Sequence, residues 1–238
     1  MRLLSWNCNG AFRKKYQHLD DLAADIYVIQ ECENPATSKD VNYIAWAENH
    51  LWIGDSKNKG IGVFAKNGNT LAQLDWSSTY HDHTVKHFLP CRVNNSFDLL
   101  ALWLHQNNSP TFGYIGQFWK YLQVNKSSLH DVMIIGDFNS NVKWDTWDRW
   151  WNHSDVVREL NEIGTVSLYH KYFDEAQGKE SKPTFYLHRS LLKSYHIDYC
   201  FAPERVANQL TSITVGEYQD WIHASDHVPL IFNFDMNI

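Results

Sequence analysis

The run VMIIGDFNSN, residues 132–141, decides how this chain is read. An apolar stretch of strand length is broken by Gly136, and Asp137 and Asn139 stand at its end. Other apolar runs carry the same signature: Asn7 terminates residues 3–6, Glu31 follows 26–30, and His105 follows 99–104. Two runs begin on such groups instead, with Asp198 near the start of 196–201 and Asp226 and His227 immediately before 228–232. In a mixed or antiparallel sheet the end of a strand running up lies beside the start of one running down, so all these side chains can meet on one edge.

One site would then gather Glu31, Asp137, Asp198 and Asp226. Carboxylates at a few ångströms raise one another's pKa and destabilise a fold unless a cation joins them. A hard, oxygen-seeking ion such as Mg²⁺ resolves that conflict. A metal flanked by histidine and amide side chains suits phosphoryl-ester hydrolysis, because it neutralises phosphate, holds the leaving oxygen and helps to acidify water. Histidine moves protons near neutral pH, and Asn139 donates to a nonbridging oxygen without adding negative charge.

Outward from the strand ends, helical patterns are predicted over residues 14–24, 115–123 and 155–163, the last with Ser154 as N-cap and Gly164 at its stop. Residues 52–64 read as a hairpin around a turn at 57–60, so part of the sheet is antiparallel. Mixed sheets packed together with helices outside is the layer arrangement that fits. No linker, repeat or charge block divides the chain, which is read as one domain over residues 1–238.

With 44% hydrophobic and 20% charged residues, the composition is that of a globular protein and excludes disordered and fibrous classes. The N-terminal run is broken by Asn7 and Asn9, so neither a signal peptide nor a membrane span is expected, and the chain is read as cytoplasmic. Cys8, Cys32, Cys91 and Cys200 lie far apart without metal-site spacing and are expected to be buried, reduced thiols. Three of them stand within two positions of a candidate site residue, which suggests oxidation-sensitive activity. A net charge of −6 does not advertise a nucleic-acid binder, yet a local basic rim suffices for an enzyme that releases its product. Rim candidates are Arg13 with Lys14 and Lys15, Lys57 with Lys59, Lys143 with Arg149, and Arg189 with Lys193.

In order along the chain stand WNCNG (6–10), QE (30–31), GDFNSN (136–141), HIDYCF (196–201) and SDHVPL (225–230). This set resembles the endonuclease/exonuclease/phosphatase superfamily across nearly the whole sequence. The resemblance implies a four-layer α/β/β/α sandwich of two mixed sheets flanked by helices, with the site at one end of the sheets. It implies Glu31 as the principal ligand of Mg²⁺ (or Mn²⁺), with Asn7 and Asp226 completing the metal site. His227, oriented by Asp198, would act as general base or as a phosphate-polarising acid. Asp137 would position or deprotonate the attacking water, and Asn139 would hold the phosphate. His105 stands where pancreatic deoxyribonuclease, sphingomyelinase and inositol phosphatase relatives carry a histidine and abasic-site enzymes a tyrosine. It would donate to the leaving group or phosphate.

The expected activity is that of a metal-dependent nuclease, with DNA the first-choice partner and Asn9, Arg13, Asn141, Trp147 and Arg149 as substrate contacts. The alternative substrate is a small phosphoester, such as an inositol phosphate, phospholipid head group or nucleotide. Against a silent binding module stands the presence of Glu31, Asp137 and His227, since loss of catalysis would normally show as a replacement of one of them. Neither a membrane nor an obligate protein partner is indicated. His81, His83 and His87 are read as surface or loop residues. In VKWDTWDRWWN (142–152), spacings of three and four would stack Trp144, Trp147 and Trp151 along one helical face in the core. The alternative there is a stacking platform for bases, with Arg149 and Lys143 meeting phosphates.

Overall fold

The computed structural model describes residues 1–106 and 111–236. Its main strands are β1 (Arg2–Asn7), β2 (Ile26–Cys32), β3 (His50–Ser56), β4 (Lys59–Ala65), β5 (Leu71–Gln73), β6 (Phe88–Val93), β7 (Phe97–Trp103), β8 (Val132–Asp137), β9 (Thr165–Ser167), β10 (Asp198–Pro203), β11 (Leu210–Val215) and β12 (Leu230–Phe234). They form two six-stranded sheets, ordered β11-β12-β1-β2-β4-β3 and β9-β10-β8-β7-β6-β5. Each sheet has one parallel pair at its centre, β1 with β2 and β8 with β7, and antiparallel neighbours elsewhere.

Side chains along the central strands alternate between two cores. In β1, Leu3 packs between the sheets while Leu4 and Trp6 pack on the outer face. In β8, Met133 and Ile135 face inward while Val132 and Ile134 face outward. Burial on both faces is why these runs read as continuously apolar. The outer layer of the first sheet is α1 (Val41–Trp46) with the 3₁₀ turns Phe12–Lys14 and Tyr16–Leu22, which bury Phe12, Tyr16 and Leu19. The second sheet is covered by α2 (Ile115–Asn125) and α3 (His153–Glu162). The expected sandwich of two mixed sheets between helical layers is thus present, and among the described residues no helix is long and apolar enough to cross a membrane.

Several local expectations are corrected. The helix expected over 14–24 is two 3₁₀ turns, separated at Lys15 (φ −127°) and closed by Ala23 in the left-handed region. α3 is capped by Asn152, in a reciprocal box with Asp155, rather than by Ser154. β6 was hidden by Pro90. That residue turns its carbonyl to Leu74 N (3.0 Å), beyond the paired residues of the short edge strand β5, where a missing N–H breaks no ladder bond.

Candidate active site

The strand ends converge as the run pattern requires. Asp137, last in β8, lies directly opposite Asp198, first in β10, and β1 and β2 finish side by side at Asn7 and Gln30. Two backbone devices aim the acids. Gly136 (φ 149°) lies so close to β7 that an added Cβ would stand 1.9 Å from the Leu102 carbonyl oxygen, so no side chain fits and Asp137 is delivered against that strand. Glu31 adopts φ 62° at a register shift between Gln30 and Cys32, a bulge that turns its carboxylate out of the β2–β4 ladder.

Asn7 is the junction. Its Nδ2 donates to Asp137 Oδ2 (2.9 Å) and, more weakly, to Glu31 Oε1 (3.4 Å), while its Oδ1 accepts the Asn9 amide (3.0 Å). Asn9 Nδ2 in turn donates to Asp226 Oδ1 (2.8 Å), so Glu31, Asn7, Asn9 and Asp226 form one chain. Asn139 gives its backbone N–H to Asp137 Oδ1 (2.8 Å), and its Nδ2 to Asp137 Oδ2 and the Leu104 carbonyl, both at 3.1 Å. His227 Nδ1 meets Asp198 Oδ2 at 2.9 Å, leaving Nε2 4.0 Å from Asp137 Oδ2. Ser225 locks this loop to β1, its hydroxyl donating to the Asn7 carbonyl and accepting the His227 amide.

Electrostatics follow from burial. Desolvation, then the charge of Asp198, pushes the Asp137 carboxyl well above the usual carboxylate range, against the lowering effects of His227 and the Asn7 hydrogen bond. Burial pulls the His227 imidazole down, but the charge and hydrogen bond of Asp198, with Asp137 and Asp226, override it and hold the group up at about 9.

The donor sets for a cation differ. Asp137, Asp198 and His227 offer atoms within 4.8 Å of one another, yet His227 Nδ1 is already engaged by Asp198, the arrangement of a proton relay. Glu31 and Asp226 carry half-buried carboxylates at the more open edge, which suit a hard divalent ion, whereas the Asn7 oxygen already accepts the Asn9 amide and its NH₂ group faces the acids. Lys59, a rim candidate, already places its ammonium 2.7 Å from Glu31 Oε2, so that carboxylate is built to carry a cation.

Other candidates lie elsewhere. His105 is exposed beyond the end of β7, its ring 5.3 Å from Trp103 and 5.9 Å from His87. Arg13 is spent on Glu33. Asn141 is buried, with its amide donating to Glu180, the His196 carbonyl and the Tyr199 hydroxyl, so it fastens the loop from beneath. The 144–151 segment is not helical: Trp151 alone is buried, Trp144 leans on Tyr195, and Trp147 is 98% exposed. Arg149 lies over the Trp151 ring, 4.6 Å from its centroid.

His87, read from sequence as a surface or loop residue, is buried against Trp103 and His105, and burial lowers it to about 4. Its place directly before the unrecognised strand β6 was the missing signal. All four cysteines are buried free thiols, as expected, but burial raises every one of them, Cys91 to about 12. Burial and the raised thiols argue against the suggested oxidation sensitivity, since the reactive species is the thiolate.

No family model matches the chain, and no curated protein is significantly similar to it in sequence. Solved structures are similar over its whole length. A 3′–5′ exonuclease (NExo) from Neisseria meningitidis superposes with a TM-score of 0.73 at 16% identity, covering 99% of this chain and 100% of that one. An AP endonuclease from Archaeoglobus fulgidus gives 0.70 at 16% identity, with the same coverage. The AP endonuclease LMAP from Leishmania major gives 0.68 at 11% identity, covering 99% of this chain and 88% of that one. With two mixed sheets between helical layers and a buried Asp–His pair at their shared edge, the chain has the fold of the endonuclease/exonuclease/phosphatase superfamily.

Proposed function

We propose that the chain is a divalent-metal-dependent phosphodiesterase of the nuclease type, with DNA as its substrate. The observation that carries this reading is the 4.0 Å gap between His227 Nε2 and Asp137 Oδ2. It is too wide for a direct hydrogen bond, and an oxygen of water or phosphate between the two groups would touch both. The solved structure of NExo from Neisseria as a 3′ phosphatase bound to a product DNA hairpin, TM-score 0.71 at 16% identity, supports nucleic acid as the substrate class.

In this reading Asp137, its carboxyl raised by burial, takes the proton of the attacking water, a task for which a base titrating closer to neutrality is suited. His227, protonated and fixed by Asp198, donates from Nε2 to a nonbridging phosphate oxygen, where charge grows during attack. The Asn139 and Asn7 amides orient Asp137, and Asn139 would hold the phosphate. His105, at the rim, protonates the leaving oxygen. Glu31, with Asn7 and Asp226, would hold Mg²⁺ or Mn²⁺, which supplies charge neutralisation at the phosphate when bound.

The test is cleavage of labelled single-stranded, double-stranded and abasic-site DNA and of RNA, with Mg²⁺ or Mn²⁺ against EDTA, alongside Glu31→Ala and His227→Ala. Metal-dependent cleavage lost in both variants is the expected result. A folded wild type that cleaves none of them sinks the nuclease reading and turns the search to inositol, phospholipid and nucleotide esters.

A further inference from the structure

A cleft of about 380 Å³ opens beside Asn139, with Tyr114, Ser140, Trp144, Arg149 and Trp151 among its walls. That volume is at the small end of ligand-holding clefts, about 300–1,000 Å³. It suits one nucleotide and not a duplex.

The walls offer one free charge and bare ring faces. Arg149 rests on Trp151, and among the described residues no carboxylate pairs with it, whereas Arg13, Arg92, Arg158 and Arg205 each hold one. A guanidinium fixed by a ring and left without an acid is prepared for an anion. Trp144, 45% exposed, is braced by Tyr195 at 5.2 Å in the 3₁₀ turn Val142–Trp144. Tyr114, 44% exposed, is held at φ 54°, ψ −117°, a conformation costly for a bulky residue, with its amide donating to the His105 carbonyl at 3.0 Å.

Two of the polar side chains on its walls are already used. Both Asp145 oxygens accept backbone amides at the start of α3, and the Asn152 side chain is bonded to Thr146 and to the Arg149 carbonyl. With those two engaged, the cleft presents chiefly aromatic side chains and one guanidinium, and recognition of that kind tolerates any base.

We propose that this cleft holds the unpaired nucleotide adjoining the scissile phosphodiester, its base against Trp144 and Tyr114 and its far phosphate on Arg149. The proposal rests on the nuclease reading and narrows its substrate to single-stranded or frayed nucleic acid.

Two substrates test it, a short single-stranded deoxyoligonucleotide and bis(p-nitrophenyl) phosphate, which has no base. The ratio of their kcat/KM values should fall on the order of tenfold in Trp144→Ala and in Arg149→Ala, and recover in Trp144→Phe. Wild type should show similar rates on the four homopolymers. Binding is followed separately in EDTA, by quenching of tryptophan fluorescence with the same oligonucleotide, and should weaken by a similar factor in Arg149→Ala. A ratio and an affinity that do not move in either Ala variant overturn the proposal. If wild type hydrolyses neither substrate, the nuclease reading fails and the EDTA titration alone decides the cleft: weaker binding in Arg149→Ala supports it, equal binding overturns it.

Discussion

The floor of the site and its aromatic rim, which meet in sequence only where Asp137 precedes Trp144, obey opposite rules. On the floor, Asn7, Asp137, Asp198 and His227 are at most 5% exposed, and each is held by a neighbour from another strand. On the rim, Trp144, Trp147 and Trp150 are 45%, 98% and 63% exposed, on a segment with neither helix nor strand beyond one 3₁₀ turn. Groups that move protons need fixed distances and altered pKa values, which only burial supplies. Groups that grip a ligand by its faces need exposure, and accept the mobility that accompanies it.

The largest expected effect is on the floor. Asp137→Asn and His227→Ala should each lower kcat by roughly 10²–10⁴ on oligonucleotide and small ester alike. Unequal loss on the two substrates in steady-state assays would blur the division between floor and rim. Next comes Gly136→Ala, whose Cβ would collide with the Leu102 carbonyl oxygen. A destabilisation of about 3 kcal/mol or more is expected in denaturant unfolding. Unaltered stability would mean that β7 and β8 can separate without cost.

A third prediction concerns pH. The folded His227 titrates at about 9 rather than 6.5, so its contribution to stability is full below 6.5 and is lost as pH climbs through about 9. The difference in Tm between wild type and His227→Gln should shrink from pH 6.5 to 9.5, and a constant difference would show that the proton is not held there. Smaller still, treatment with dilute peroxide should leave activity intact, because all four thiols are buried and raised; rapid inactivation would place a reactive thiol at the floor. The least effect belongs to Trp147→Ala, expected to alter unfolding free energy by less than about 0.5 kcal/mol. Its oligonucleotide KM should move less than that of Trp144→Ala.

The floor was legible in the sequence for a physical reason. A strand is a short periodic element, so an acid at the end of an apolar run has a defined position, and antiparallel neighbours bring ends and starts together. Asp137 opposite Asp198 realises that logic in one register pair. What escaped notice lacked periodicity. Residues 144–151 have helical spacing but fold as a 3₁₀ turn and loop, because Asp145 accepts the His153 and Ser154 amides at the start of α3 and the Asn152 side chain bonds the backbone of Thr146 and Arg149 within the loop. β6 was masked by a proline whose neighbour strand is too short to need its N–H, and with β6 went the burial of His87. The bulge at Glu31 left no trace in residue type either, since glutamate is an uncommon occupant of the left-handed region.

The Lys59–Glu31 contact bears on how this sheet edge keeps its charge balanced. A carboxylate left bare at the mouth of an acidic site would repel its neighbours, and withdrawal of the bound ion would then strain the whole sheet edge. Here the polypeptide carries its own counter-ion on an adjacent strand, at 2.7 Å. A cation arriving at Glu31 would displace an ammonium rather than meet a bare carboxylate. On the metal-dependent reading proposed above, a chelator would stop turnover while leaving the folded chain ready to resume.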